Sequence, residues 1–122
     1  MIETTLQTLL TTSAPIRAIT TSVYPVTLPK GIETPVIWIS WKTVTSVSNP
    51  TFTTTGITRT RIQIDCWAAR YLDAANLRAA VRSVLDGYHD GSIAIQSLSD
   101  TDIYDDVLLE YRAILEFYVW HV

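Results

Sequence analysis

The 122-residue sequence predicts an α+β fold, a mostly antiparallel sheet of about four strands with two helices packed on one face, in the order α-β-β-α-β-β. Three observations predict it. Threonine is the commonest residue, at eighteen copies, and with Ile and Val it makes the chain rich in β-branched side chains that suit a pleated sheet. Residues 57–68 and 107–121 alternate in polarity with a period of two, whereas residues 2–12 and 74–87 carry apolar stripes of helical period. A single core at this length buries roughly two thirds of the unfolded surface, so residues 1–122 read as one domain that needs neither disulfide nor metal.

Ile2, Leu6, Leu9 and Leu10 stand at i, i+4, i+7 and i+8 and predict a short amphipathic helix that ends at Ala14-Pro15. Pro25, Pro29 and Lys30-Gly31 then mark a connector with one extended piece around residues 19–24. Residues 36–47 read as a strand, with Ile37, Ile39 and Trp41 on one side and Val36 and Trp38 on the other. Residues 47–56 are turn formers and threonines, the composition of a long hairpin tip. In the next strand Ile62, Ile64, Cys66 and Ala68 face one way, and Arg59, Arg61, Gln63, Asp65 and Trp67 the other.

Asp73 is the expected N-cap of the second helix, whose apolar stripe is Leu77, Val81, Val84, Leu85 and Tyr88, with Gly87 as its stop. A strand over 92–98 follows, then an acidic connector with Asp100, Asp102, Asp105 and Asp106. The final strand, residues 107–121, sets Leu109, Tyr111, Ala113, Leu115, Phe117 and Val119 against Glu110, Arg112, Ile114, Glu116, Tyr118 and Trp120.

Several function classes are excluded by what is missing. The net charge of -3 argues against nucleic-acid binding, which depends on neutralising phosphates. Four scattered glycines write neither a P-loop nor a dinucleotide fingerprint. Cys66 is alone and reads as a small core hydrophobe, and no Cys/His cluster has metal-ligand spacing. His89 and His121 read as turn and strand-end residues, since no nucleophile motif accompanies them. The acidic connector lacks the Gly and terminal Glu of a calcium loop. No apolar run is long enough to span a membrane, and the first residues do not form a secretion signal. The expectation is therefore a soluble protein with no enzyme activity, cofactor or metal.

Charge is divided along the chain. Residues 1–85 hold eight Lys/Arg against four Asp/Glu, net +4; residues 86–122 hold one Arg against eight acids, net -7. In a head-to-tail ring this division sets a basic patch of one subunit against an acidic patch of the next. Two helices cover one side of the sheet, which leaves Trp67, Tyr118 and Trp120 on the other side with Arg59, Arg61, Asp65, Arg112 and Glu116. Aromatic and Arg residues mixed on an uncovered face have the composition of an interface core. The expected subunit interface is Arg59, Arg61, Trp67, Arg78, Arg82, Arg112, Glu116, Tyr118 and Trp120.

Over nearly its whole length the sequence resembles the tail-completion proteins of long-tailed bacteriophages, also called tail-terminator or tail-to-head joining proteins. The resemblance rests on the N-terminal helix, Val23-Tyr24-Pro25, Leu28-Pro29-Lys30-Gly31 and Thr34-Pro35. It continues through Arg59-Thr60-Arg61-Ile62-Gln63-Ile64-Asp65-Cys66-Trp67-Ala68, the helix with Val81-Arg82 and Leu85, Tyr111-Arg112, and Glu116-Phe117-Tyr118-Val119-Trp120. It implies a virion structural protein, made in the host cytoplasm, that forms a homo-oligomeric ring, a hexamer, at the head-proximal end of the tail. There it would stop tail-tube assembly and contact the tail-tube protein and the head connector or head-closure protein. DNA would pass through unbound, with Asp100, Asp102, Asp105 and Asp106 facing the lumen or a partner. The alternatives are another neck or head-closure ring component, and a small α+β enzyme or ligand-binding domain with the sheet face as its pocket floor.

Overall fold

The chain forms three helices and five strands in the order α1 (Ile2–Thr12), α2 (Ala14–Arg17), β1 (Val23–Pro25), β2 (Ile37–Asn49), β3 (Ile57–Ala68), α3 (Tyr71–Leu85), β4 (Ile93–Asp105) and β5 (Glu110–His121). The computed structural model describes residues 2–20, 22–25, 37–49, 57–89, 93–105 and 110–121. The strands make one sheet in the order β1-β2-β3-β5-β4, with β1 parallel to β2 and every other pair antiparallel. The α+β class agrees with expectation, while the counts differ by one strand and one helix.

Both additional elements lie in the proline-marked region. Pro15 ends α1 and also sits in the first turn of α2, where its missing N–H leaves no hydrogen bond unmade. The short α2 places Ile16 fully in the core. Strand β1 is only three residues long and pairs with Ile39–Trp41. Residues 26–36 and 50–56 lie outside the described residues, and with them much of the expected connector and the centre of the expected hairpin tip. The described part of that tip, up to Asn49, continues β2 and pairs with β3.

One face of the sheet carries all three helices. Leu6 and Leu10 of α1, Ile16 of α2, and Leu77, Val81 and Leu85 of α3 pack on Ile39, Trp41, Ile62, Ile64, Cys66, Leu115, Phe117 and Val119. The period-two alternation in β3 and β5 thus divides the chain as expected into a core side and an outer side.

Helix α3 begins two residues before the expected Asp73, with Arg70 as N-cap. Tertiary contact sets this start, because the Tyr71 hydroxyl donates to Asp102 Oδ2 at 3.0 Å and its ring meets Tyr111. Asp73 lies in the first turn, where a carboxylate favours the helix dipole. Gly87 follows the helix with φ of 79°, a conformation that a Cβ penalises.

The expected acidic connector is a strand. β4 runs through Asp100 and Asp102 to Asp105, and β5 is described from Glu110; Asp106 and the expected first residues of the last strand, 107–109, lie outside the described residues. A register shift between Ser97 and Ser99 leaves Leu98 out of the ladder and reverses the alternation. Ile93, Ile95 and Ser97 face the helices before the shift, and Asp100 and Asp102 do so after it, opposite Leu115 and Ala113. A second shift between Thr43 and Thr45 does the same at Val44 in β2. Each skipped residue is an exposed hydrophobe.

Candidate assembly surface

Among the described residues no helix packs on the outer face. This face is built from alternate positions of β2, β3 and β5. Register sets Trp38 opposite Trp67, which is opposite Arg112, and sets Arg61 opposite Tyr118 and Arg59 opposite Trp120. Seven of the expected interface residues share it: Arg59, Arg61, Trp67, Arg112, Glu116, Tyr118 and Trp120.

The end around Trp67 is sealed by the chain itself. Trp38 and Trp67 are 4% and 7% exposed, and their rings stack 4.9 Å apart with 3° between the planes. The indole N–H of Trp67 donates to Ser40 Oγ at 3.1 Å, and that of Trp38 donates to Glu110 Oε2 at 3.4 Å. Arg112 lies 5.1 Å from the Trp67 ring and donates to Asp65 Oδ2 at 3.0 Å. Tyr24 covers Trp38 edge-on at 6.3 Å. Buried indoles with satisfied N–H groups hold the subunit together, and this role, rather than exposure to a neighbour, is what the structure gives Trp67. Trp38 was legible only as an outward residue; its stacking follows from the β2–β3 register, which no local pattern encodes.

The other end is more open. The Arg59 guanidinium lies 4.7 Å from the centre of the Tyr118 ring and 5.7 Å from that of Trp120, and all three residues are half-buried. Beside them Arg61 pairs with Glu116, which also accepts from Ser99 Oγ at 3.4 Å. A cation over an exposed aromatic contributes only about 0.5–1 kcal/mol, so this cluster does little for the lone subunit. It remains an arginine held between two aromatic rings, with surface left to bury.

Arg78 and Arg82 are elsewhere. They project from α3 in the helix layer, where Arg78 pairs with Asp102 and Arg82 with Asp100 at 3.1 Å. The hydrogen bond from Arg78 is the main cause that holds the Asp102 carboxyl below its ordinary range, and the same bond raises the Arg78 guanidinium. The strand can therefore carry these acids, because α3 neutralises them. The division of charge along the sequence has the same origin: Arg61, Arg78 and Arg82 of the basic part pair with Glu116, Asp102 and Asp100 of the acidic part within one chain. The expected acidic loop is thus, as far as it is described, an ion-paired edge strand.

Cys66 is fully buried on the core face, and burial raises its thiol far above the ordinary range. His121 Nε2 lies 2.9 Å from Thr60 Oγ1, and His89 is exposed and bridges Ala94. Among the described residues no group of three His, Cys, Asp or Glu is placed to hold a metal, and no helix is long and apolar enough to cross a membrane.

The subunit is thus an α+β domain with three helices on one sheet face and an arginine–aromatic cluster on the other. A family model described as tail completion protein gp17 matches residues 4–121, and the chain belongs to that family. It is a phage tail structural protein located in the virion tail. Among solved structures, a chain from the virion of a native gene transfer agent particle superposes with a TM-score of 0.73 at 16% identity, over 95% of this chain and 90% of that one. At that identity the likeness is one of fold. No curated protein sequence matches the chain.

Proposed function

We propose that the chain closes a homo-oligomeric ring, a hexamer, at the head-proximal end of the phage tail, where it ends tail-tube growth and joins the tail to the head connector or head-closure protein. The observation that carries this reading is the outer sheet face. Three helices cover one side, and on the other the half-buried cluster of Arg59, Tyr118 and Trp120 gains its remaining cover from an identical neighbour. Arg61 and Glu116 flank the contact, while Arg112 belongs to the sealed end. Trp67 holds the sealed end of the same face and is not part of the contact, and Arg78 and Arg82 act inside the subunit. The work is done by shape and charge complementarity, without a reaction.

Membership of a tail completion family supports the position at the end of the tail, and the shared fold with a chain of a virion particle supports incorporation in one. Net charge of -3 suits a channel through which DNA moves without sticking. Since Asp100 and Asp102 are already paired, Asp105 and Asp106 are the better candidates for an acidic lumen.

Sedimentation velocity tests the reading. The wild-type chain is expected to sediment as a ring of about six copies at high concentration, alone or with tail-tube protein, as paired charge and apolar area are buried. Arg59→Glu together with Trp120→Ala is expected to shift it to the monomer. A wild-type chain that stays monomeric under all these conditions overturns the ring.

A further inference from the structure

The two edges of the sheet carry complementary apolar features that the outer-face contact leaves unused. At the β4 edge, Tyr71 and Leu72 of α3 and Tyr104 of β4 are exposed, Leu72 to 72%. The two tyrosines are firmly seated, and Leu72 follows Tyr71 in the first turn of α3 as the exposed tip of this knob. The Tyr71 and Tyr104 rings both pack on Tyr111, at 5.6 and 4.9 Å, and the Tyr71 hydroxyl is bonded to Asp102.

At the opposite edge a groove of about 760 Å³ runs between Thr4, Gln7 and Thr8 of α1 and Pro25, Trp41, Lys42 and Thr43 of the first two strands. Pro25, the last residue of β1, is level with Trp41 on its wall. Its floor is fixed, because Trp41 Nε1 donates to Gln7 Oε1 at 2.7 Å and Gln7 Nε2 donates to the Val23 carbonyl at 3.3 Å. Among the described residues Lys42 is the one charged residue lining it; it is exposed and makes no ion pair among them.

We propose that this groove takes the Leu72 knob of a second copy of the chain, in a head-to-tail contact that runs around the ring beside the outer-face cluster. The inference rests on the proposed self-assembly and names a second surface that carries it. Charge selects the pairing. Asp73, next to Leu72, makes no ion pair among the described residues and so complements Lys42. Two knobs facing each other would bring Asp73 against Asp73, and two grooves would bring Lys42 against Lys42. A knob on one edge and a groove on the other make a heterologous contact, the kind that generates a ring when its rotation closes. The knob is level with Ile37 across the sheet and the groove with Trp41 and Thr43, so copies meet with a stagger along the strands.

Native mass spectrometry of the full chain tests this with Leu72→Asp, which destroys the knob, and Thr8→Trp, which fills the groove from an exposed helix position. Circular dichroism confirms that each variant is folded. Each alone is expected to lose the ring, and an equimolar mixture is expected to give a heterodimer and stop there, since one good knob meets one good groove. Wild-type rings accompanied by intact Leu72→Asp rings overturn this contact while leaving the ring standing. Loss of rings in both variants with no heterodimer in the mixture also overturns it. A wild-type chain that never assembles removes the ring and the contact together.

Discussion

Replacing Trp67 or Trp120 with alanine separates the part of the outer face that holds the subunit together from the part assigned to neighbours. Trp67 is 7% exposed, stacks 4.9 Å from Trp38, donates to Ser40 and carries Arg112 on its ring. Removing a buried indole costs about 3–5 kcal/mol through lost transfer energy and the cavity left behind. That is a large part of the roughly 5–15 kcal/mol that stabilises a domain. At about 4 °C per kcal/mol for a chain of this size, the Tm of Trp67→Ala is expected to fall by about 15 °C. Trp120 is half-buried and touches mainly Arg59 and Tyr118, so its loss should cost about 1 kcal/mol and roughly 4 °C. Assembly of Trp120→Ala, by contrast, should weaken. Thermal melts followed by circular dichroism, with guanidinium titrations at a concentration that keeps the chain monomeric, measure both. A Trp67→Ala protein melting within a few degrees of wild type, or a Trp120→Ala protein melting as low as Trp67→Ala, would refute the division of the face into a sealed end and an open end.

Three further outcomes follow from the geometry. The buried Cys66 thiol, raised by desolvation, should resist a thiol reagent in the native protein and react on unfolding in guanidinium; stoichiometric labelling of the folded chain would contradict its placement. Asp102 is held below its ordinary value, so the stability it adds is present above the unfolded carboxyl range near 4 and fades as pH drops through the folded value. The wild-type advantage over Asp102→Asn, under about 1 kcal/mol because the pair is partly solvated, should shrink from pH 5 to 2, and parallel Tm curves would count against it. Gly87→Ala meets no atom within 4 Å, so its cost is that of a positive φ alone, about 1 kcal/mol by urea titration, with Gly87→Asn costing less.

Much of the fold can be read directly from the residues. The alternation in β3 and β5 needed no tertiary information, because a strand with one dry face must alternate, and the α1 stripe likewise gave its own boundaries. β4 was legible only in its first half. Its second half has the composition of a loop, and the arginines of α3 make Asp100 and Asp102 tolerable in a strand. The skipped Leu98 then turns Asp100 and Asp102 toward those arginines, and a one-residue slip of this kind has no signature in polarity. The same limit explains the interface set. Alternation alone places residues of one strand face side by side, whereas only charge links Arg78 and Arg82 to them, and the partners of those two arginines lie in the same chain. The Trp38–Trp67 stack depends on strand register across residues 38 and 67, information that a local reading does not hold.

Electron microscopy of intact tails decides most directly whether the exposed side of this sheet is finished by identical copies. Six copies in one closed ring at the head-proximal end, with Arg59, Tyr118 and Trp120 buried between adjacent subunits, is the predicted result. Density showing that side turned to open solvent, or a single copy per tail, would contradict it.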